Sequence, residues 1–238
     1  MTVRDMVYDV KFKLNKVDSQ KYSNLKVPEI NWALNEAEEI FIKTVSQPRF
    51  SNKLGFEHKQ RSIDDVRTIV VNGGILAVTS LNAKEYLAVL PNNYRHFVSS
   101  YACASKGNCS NWKIRMFQQQ HDDLHEENIF TRSSFEWEQI NFRFYEEGIK
   151  LFTDGTFTIN SVCDFNYIRK TAYIHNAADF IGGSYKTLDG VTLTGTQDCE
   201  LPEHTHREIV DLAVLILTGS MQIPDYEIKK DKINLLNI

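Results

Sequence analysis

Hydrophobic positions at the start of the chain recur with helical spacing: Met6, Val7, Val10 and Leu14 fall on one face of a short helix. A longer stripe follows, formed by Ile30, Ala33, Leu34, Ala37, Ile40, Phe41 and Val45 over about five turns. Pro28 sits where a first helical turn tolerates a missing N–H, and Pro48 marks the end because the residue before a proline avoids helical geometry. On this pattern Glu36, Glu38, Glu39 and Lys43 take the wet side. A third amphipathic stretch follows Leu201-Pro202, with Ile209, Val210, Ala213, Val214 and Leu217 on one side and Gly219 as its C-terminal cap.

Between these helices, from Val66 to about Tyr173, the period shortens to that of strands rich in β-branched and aromatic residues. Asn72-Gly73-Gly74 predicts a hairpin between residues 68–71 and 75–78. Residues 86–91 read as a strand leading toward Tyr94, and residues 112–117 alternate as a half-buried strand should. The clearest hairpin pattern is 148–159, where Asp154-Gly155 supplies a tight turn between alternating flanks. One further long strand spans residues 162–173, and residues 181–195 read as a loop. The fold class is therefore α+β, with two or three helices near the chain ends bracketing a mostly antiparallel β region.

Composition narrows the function. The chain has 238 residues, 27 basic and 31 acidic side chains and a net charge of -4. A chain of this length buries roughly 70–75% of its unfolded surface, enough for a core without staples. The acidic balance argues against electrostatic nucleic-acid binding. The longest apolar run, residues 212–217, is far short of the roughly 20 residues a bilayer requires, so no membrane span is expected. Residues 1–5 lack the apolar core of a signal peptide, and Cys103, Cys109, Cys163 and Cys199 are expected as free thiols in a reduced cytosol. A Cys103–Cys109 bridge is the pairing that the spacing allows.

Candidate chemistry is sparse. His121, Asp122, Asp123 and His125 form the densest group of potential ligands, and on a helix the two imidazoles would share a face. The glutamate that a zinc-protease motif places after its first histidine is missing, and the segment reads as solvated. His204 and His206 at the start of the third helix read as exposed or locally bonded. The glycine-rich stretches have neither P-loop nor dinucleotide spacing, and Gly-x-Ser-x-Gly does not occur. Phe135, Trp137, Phe142, Phe144 and Tyr145 lie beside Arg132 and Arg143, but Glu136, Glu138, Glu146 and Glu147 would repel phosphates, which favours core and interface packing over base stacking. No catalytic residue, metal ligand or cofactor-binding residue is assigned, and no cofactor is expected.

Several fragments in order carry a resemblance: Asp5-Met6-Val7-Tyr8, the helix Val27-Pro28-Glu29-Ile30-Asn31-Trp32, Ser134-Phe135-Glu136-Trp137, Asn166-Tyr167-Ile168-Arg169-Lys170, and Cys199-Glu200-Leu201-Pro202-Glu203-His204-Thr205-His206-Arg207-Glu208. Together they resemble ring, or head-to-tail adaptor, virion proteins of crAss-like and related short-tailed (podovirus) bacteriophages. The resemblance implies a non-enzymatic connector subunit, made in the bacterial host cytoplasm and located in the virion at the portal–tail region. It would assemble with itself as a dodecameric ring, contact the portal protein and the adjacent tail ring, and surround genomic DNA without reading its sequence. It also implies one adaptor-like domain over 1–238, with helical parts 1–55 and 202–220 packed together, a β-rich insertion at about 66–175 and a tail at 223–238.

The tail alternates apolar and charged residues without an internal element to pack on. Ile223, Tyr226, Ile228, Ile233, Leu235, Leu236 and Ile238 are the expected partner interface, since an extended segment gains main-chain bonds at a sheet edge. The alternative is a final strand of the subunit's own sheet. Two other functions compete: a carbohydrate- or receptor-binding β module of the tail, suggested by the aromatics, and a metal-dependent hydrolase built on His121, Asp122, Asp123 and His125.

Overall fold

The computed structural model describes residues 1–15, 25–46, 64–119, 128–146, 148–187, 189–220 and residue 230. The chain divides into two compact units, Met1–Ile69 with Thr171–Ile238, and Val70–Lys170. The fold is α+β, with helices toward the chain ends and a mostly antiparallel β region. No helix of the described residues is long and apolar enough to cross a membrane.

The first unit is built on α1 (Val3–Asn15), α2 (Val27–Ser46) and α3 (His206–Ser220), with α1 and α2 both packed on α3. A reciprocal capping pair starts α1: the Thr2 backbone N–H donates to Asp5 Oδ2 at 3.0 Å, and the Asp5 N–H donates to Thr2 Oγ1 at 3.3 Å. The Thr2 N–H is the main cause that holds the Asp5 carboxyl below its ordinary range. Met6, Val7, Val10 and Leu14 are all buried, as their spacing requires. Lys13 then ties α1 to α3 by reaching Asp211 at 3.0 Å, while also pairing with Asp9 at 3.1 Å.

In α2 the buried face is shifted from the expected one. Ile30, Ala33, Leu34, Ala37 and Phe41 are buried, but so are Asn31, Glu38 and Ile42, whereas Ile40 is exposed and Val45 half-buried. Glu38, expected in solvent, is only 2% exposed. Polar partners make that burial tolerable: its carboxylate accepts from Thr171 Oγ1 at 2.9 Å and from the Cys199 thiol at 3.5 Å. Asn35 acts as a side-chain splice, accepting from the Ile174 N–H and donating to the Ile174 carbonyl, both at 2.8 Å. Gly219 lies inside the last turn of α3 rather than beyond its end.

The return half of this unit carries short pairs: β8 (His175–Asn176) with β11 (Thr196–Gln197), and β9 (Ser184–Lys186) with β10 (Thr192–Thr194), all antiparallel. Residues 181–195, expected as loop, thus contain a small hairpin closed by the Thr187–Val191 turn. Burial pushes the Tyr173 phenol up to about 12, with Tyr185 and Asp189 adding to the shift, and it raises Tyr185 as well. A phenol held neutral by the fold favours the folded state until pH passes its unfolded value near 10, and the advantage is lost as pH climbs to about 12. The expected result is a fall in stability between about pH 10 and 12, seen as a cooperative late phase in tyrosinate absorbance. A single smooth titration near 10 would contradict it.

The second unit is a closed seven-stranded barrel in the order β1 (Val70–Ser80), β2 (Glu85–Val89), β6 (Gly148–Phe152), β5 (Gln139–Tyr145), β4 (Cys109–Gln118), β3 (Tyr94–Lys106), β7 (Thr158–Arg169), with β7 returning to β1. Every neighbouring pair is antiparallel except β4 and β5. Closure removes the free edges that a seven-stranded open sheet would leave. The interior is filled by alternate residues, among them Ala88, Ala102, Ala104, Ile114, Ile140, Phe142, Ile149, Leu151, Val162 and Phe165.

Two expected hairpins are absent from this barrel. Asn72-Gly73-Gly74 lies within β1, where it forms register shifts against β7 instead of reversing the chain. Gly73 takes φ +72°, its N–H is satisfied by Asn166 Oδ1 at 2.9 Å, and a Cβ on Gly74 would stand 3.0 Å from the Phe165 carbonyl oxygen. The glycines therefore make a bulge that lets two backbones approach. Asp154-Gly155 does turn the chain, with Gly155 at φ +84° and Asp154 Oδ1 accepting from the Thr156 N–H at 2.8 Å. Its flanks do not pair: β6 bonds to β2 and β5, and β7 to β1 and β3. The turn is a crossover between separate parts of the wall.

Closeness of backbones also dictates Gly148, opposite Val89, where a Cβ would come within 2.2 Å of the Ala88 carbonyl oxygen. Gly148→Ala is expected to cost about 2–3 kcal/mol or more, because the obstacle is backbone in a closed wall. Urea unfolding checks this, and a loss below about 0.5 kcal/mol would show that the wall can give.

Candidate interaction surfaces

The expected interface residues Ile223, Tyr226, Ile228, Ile233, Leu235, Leu236 and Ile238 lie outside the described residues, as do His121, Asp122, Asp123 and His125. Among the described residues, no group of three or more His, Cys, Asp or Glu side chains could hold a metal ion. His204 Nε2 lies 2.8 Å from Asp65 Oδ1, and buried His206 donates from Nε2 to the Leu201 carbonyl at 2.9 Å. Both histidines thus serve the entry to α3, whose short preceding turn is closed by Thr205 donating to the Pro202 carbonyl at 2.8 Å.

The cysteines differ from expectation. Cys103 on β3 and Cys163 on β7 form a disulfide with a Cα–Cα distance of 6.2 Å. Adjacency of β3 and β7 in the wall brings them together across 60 residues, and the nearer Cys109 stays a free, exposed thiol on β4. Cys199 is free and buried, and desolvation, reinforced by Glu38, pushes its thiol well above the ordinary value. A thiol so disfavoured as thiolate is a poor nucleophile.

A shallow cleft of about 480 Å³ lies on the first unit, lined by Arg4, Val7, Tyr8, Lys11, Val27 and Asp179. Arg4 makes a two-pronged bond to Asp179 at 3.0 and 2.6 Å, and this guanidinium holds the Asp179 carboxyl below its ordinary range. Tyr8 is exposed on the α1 face beside it.

The more developed surface is on the barrel, which carries ten of the sixteen large apolar side chains exposed among the described residues. Six of the ten, Trp112, Phe117, Ile129, Phe130, Trp137 and Tyr145, come from β4, β5 and the chain that joins them. A tight loop, residues 135–138, precedes β5 and is closed by the Ser134 and Gln139 backbones, which exchange bonds of 2.9 and 3.1 Å. Three of its four side chains are tied down. The Phe135 ring packs on Phe157 with centroids 5.9 Å apart, Glu136 accepts from Lys106 and from Ser134 Oγ, and Glu138 accepts from the Trp112 indole N–H at 3.1 Å. Lys106 also holds the Glu136 carboxyl below its ordinary range.

Trp137, at the tip, is 76% exposed, and Trp112 is 51% exposed. Each stands next to a non-glycine residue in the left-handed region, Asn111 at φ 54° and Glu138 at φ 51°. That geometry is disfavoured for a side-chain-bearing residue and persists only where the surroundings hold it. For Asn111 the holders are Ser105 Oγ, which accepts its N–H at 3.1 Å, and Asn160, which donates to Oδ1 at 2.7 Å. The sequence marks this region as aromatic, but its period cannot separate buried Phe142 from exposed Trp137. A loop with a left-handed residue resets the in–out alternation before β5 begins.

Comparison of the chain with models of protein families and with curated proteins gives no match.

Proposed function

We propose that this protein is a structural subunit of a phage head-to-tail connector, forming a ring that joins the portal to the tail around the DNA exit channel. The reading is carried by the barrel's exposed aromatic and aliphatic side chains, concentrated on β4, β5 and the chain between them. Within that set Trp112 and Trp137 are brought close, since the Trp112 indole bonds to Glu138 next to Trp137, and exposed aromatics held together in this way suit contact with another macromolecule. The motif order from Asp5 to Glu208 that resembles ring proteins supports the same reading. A ring is built by heterologous contacts that close by rotation, so each subunit needs two unlike surfaces rather than a catalytic cleft.

Partners on this reading are further copies of the chain, the portal protein and the next tail ring, with the segment holding Ile223, Tyr226, Ile228, Ile233, Leu235, Leu236 and Ile238 as a docking arm. Co-expression with the cognate portal protein tests it. The expected result is a stable complex that survives gel filtration and loses the portal when the chain is cut after Met221 while remaining folded. Failure of the intact chain to bind either portal or itself would defeat the proposal.

A further inference from the structure

Arg4, Val7, Tyr8 and Lys11 recur along α1 at the spacings that place side chains on one face of a helix. With Val27 at the start of α2 and with Asp179 they line the cleft of about 480 Å³ on the first unit. Two cations, a phenol and two valines thus stand against a single carboxylate, which leaves the lining with a net positive charge.

That carboxylate is already committed. Asp179 Oδ1 and Oδ2 accept from Arg4 at 2.6 and 3.0 Å, and Oδ2 also accepts from Asn176 Nδ2 at 2.7 Å. Asn176 is fully buried, so the ion pair is fastened from the interior of the unit. Arg4 keeps N–H groups beyond these two bonds, and Lys11 forms no hydrogen bond or ion pair among the described residues. Lys11 nevertheless adds to the lowering of the Asp179 carboxyl, which places its charge within coulombic reach of the same group.

An acceptor is what the cleft lacks. One unbalanced positive charge suits a monoanion: a carboxylate cancels it, whereas a phosphate monoester at about −1.5 to −2 overshoots. Val7, Val27 and the exposed Tyr8 ring offer apolar cover beside the charges. The cleft is too shallow to enclose a free small molecule, which a dedicated pocket buries by roughly 70–90%. The remaining contact must therefore come from a larger body that carries the carboxylate.

We propose that this cleft receives a glutamate or aspartate side chain of another protein, presented beside an apolar residue. The carboxylate meets Arg4 and Lys11, and the apolar neighbour lies on Val7, Val27 and Tyr8. The assignment is independent of the ring reading and of the barrel surface. It gives the helical unit a binding face of its own, for an acidic partner.

The test uses the full chain, isotopically labelled, and reads NMR shifts of the Arg4 Nε–H and the α1 amides at low salt. The probe is acetyl-Leu-Glu-Leu-amide. Saturable shifts centred on the cleft are expected, with affinity about fivefold or more lower for acetyl-Leu-Gln-Leu-amide, which has the same shape without the charge. Lys11→Gln should weaken the Glu probe about threefold and leave the Gln probe unchanged, a split that a general disturbance of the fold would not produce. Tyr8→Ala should weaken both probes alike, because it removes apolar cover only. Circular dichroism accompanies each variant. Equal affinity for the two probes, or no saturable shift at the cleft, overturns the proposal. Equal or tighter binding of inorganic phosphate, or of free 4-methylpentanoate, also overturns it, making the cleft a phosphate site in the first case and a small-molecule site in the second. None of these outcomes bears on ring formation.

Discussion

Truncating Phe142 to alanine is expected to lower the stability of the barrel by about 3–5 kcal/mol, the largest single effect of any one side chain. The ring is fully buried on β5, with centroids 5.3 Å from Phe97 and 5.6 Å from Phe144. Its strand is bonded to β6 on one side and to β4 on the other, in the single parallel pair of the wall. Neighbours held in a closed wall have little freedom to move into the space vacated, so a cavity cost adds to the lost transfer energy. Trp137→Ala, five residues earlier on an exposed tip, is the control and should change stability by less than about 0.5 kcal/mol. Urea unfolding of both variants measures the contrast, and equal losses would mean that the barrel interior is not packed as described.

Separating Cys103 from Cys163 should have the second-largest effect. The bond closes a stretch of 60 residues, for which chain entropy alone predicts about 4 kcal/mol of stabilisation, with about 2–4 kcal/mol being typical of measured cases. Cys103→Ser with Cys163→Ser, or reduction of the parent, should therefore lower the urea midpoint without abolishing the barrel, whose interior does not use either sulfur. Alkylation gives an independent reading: exposed Cys109 reacts in the native protein, Cys199 joins it on unfolding, and all four cysteines react only after reduction. Four reactive thiols in unreduced, unfolded protein would show that the pair is open in solution.

What the amino-acid pattern made legible is local. Met6, Val7, Val10 and Leu14 announce α1 and all four are buried, because a 3.6-residue period needs no knowledge of distant chain. Glu38 breaks the same rule on α2, since its acceptability inside depends on Thr171 and Cys199, more than a hundred residues away. The Asp154-Gly155 turn was legible as a turn, yet its flanking strands find partners elsewhere. Strand pairing is a competition among all strands, and barrel closure decides it. Cys103 and Cys163 illustrate the same limit, as only the β3–β7 neighbour relation makes them closer than Cys103 and Cys109. At the candidate surface, the aromatics around Trp137 were visible in sequence. Their division into core and rim was not, because it turns on the left-handed Glu138 and the ties at Glu136 and Glu138.

On the function we propose, the aromatic side chains exposed on the barrel serve assembly. Electron microscopy of the purified full-length protein, with native mass spectrometry of the same sample, tests this most directly. The account predicts closed rings with a central hole and a mass that is an integral multiple of the subunit, twelve copies if the resemblance holds. A monodisperse monomer at every concentration, unchanged by added portal protein, would contradict it.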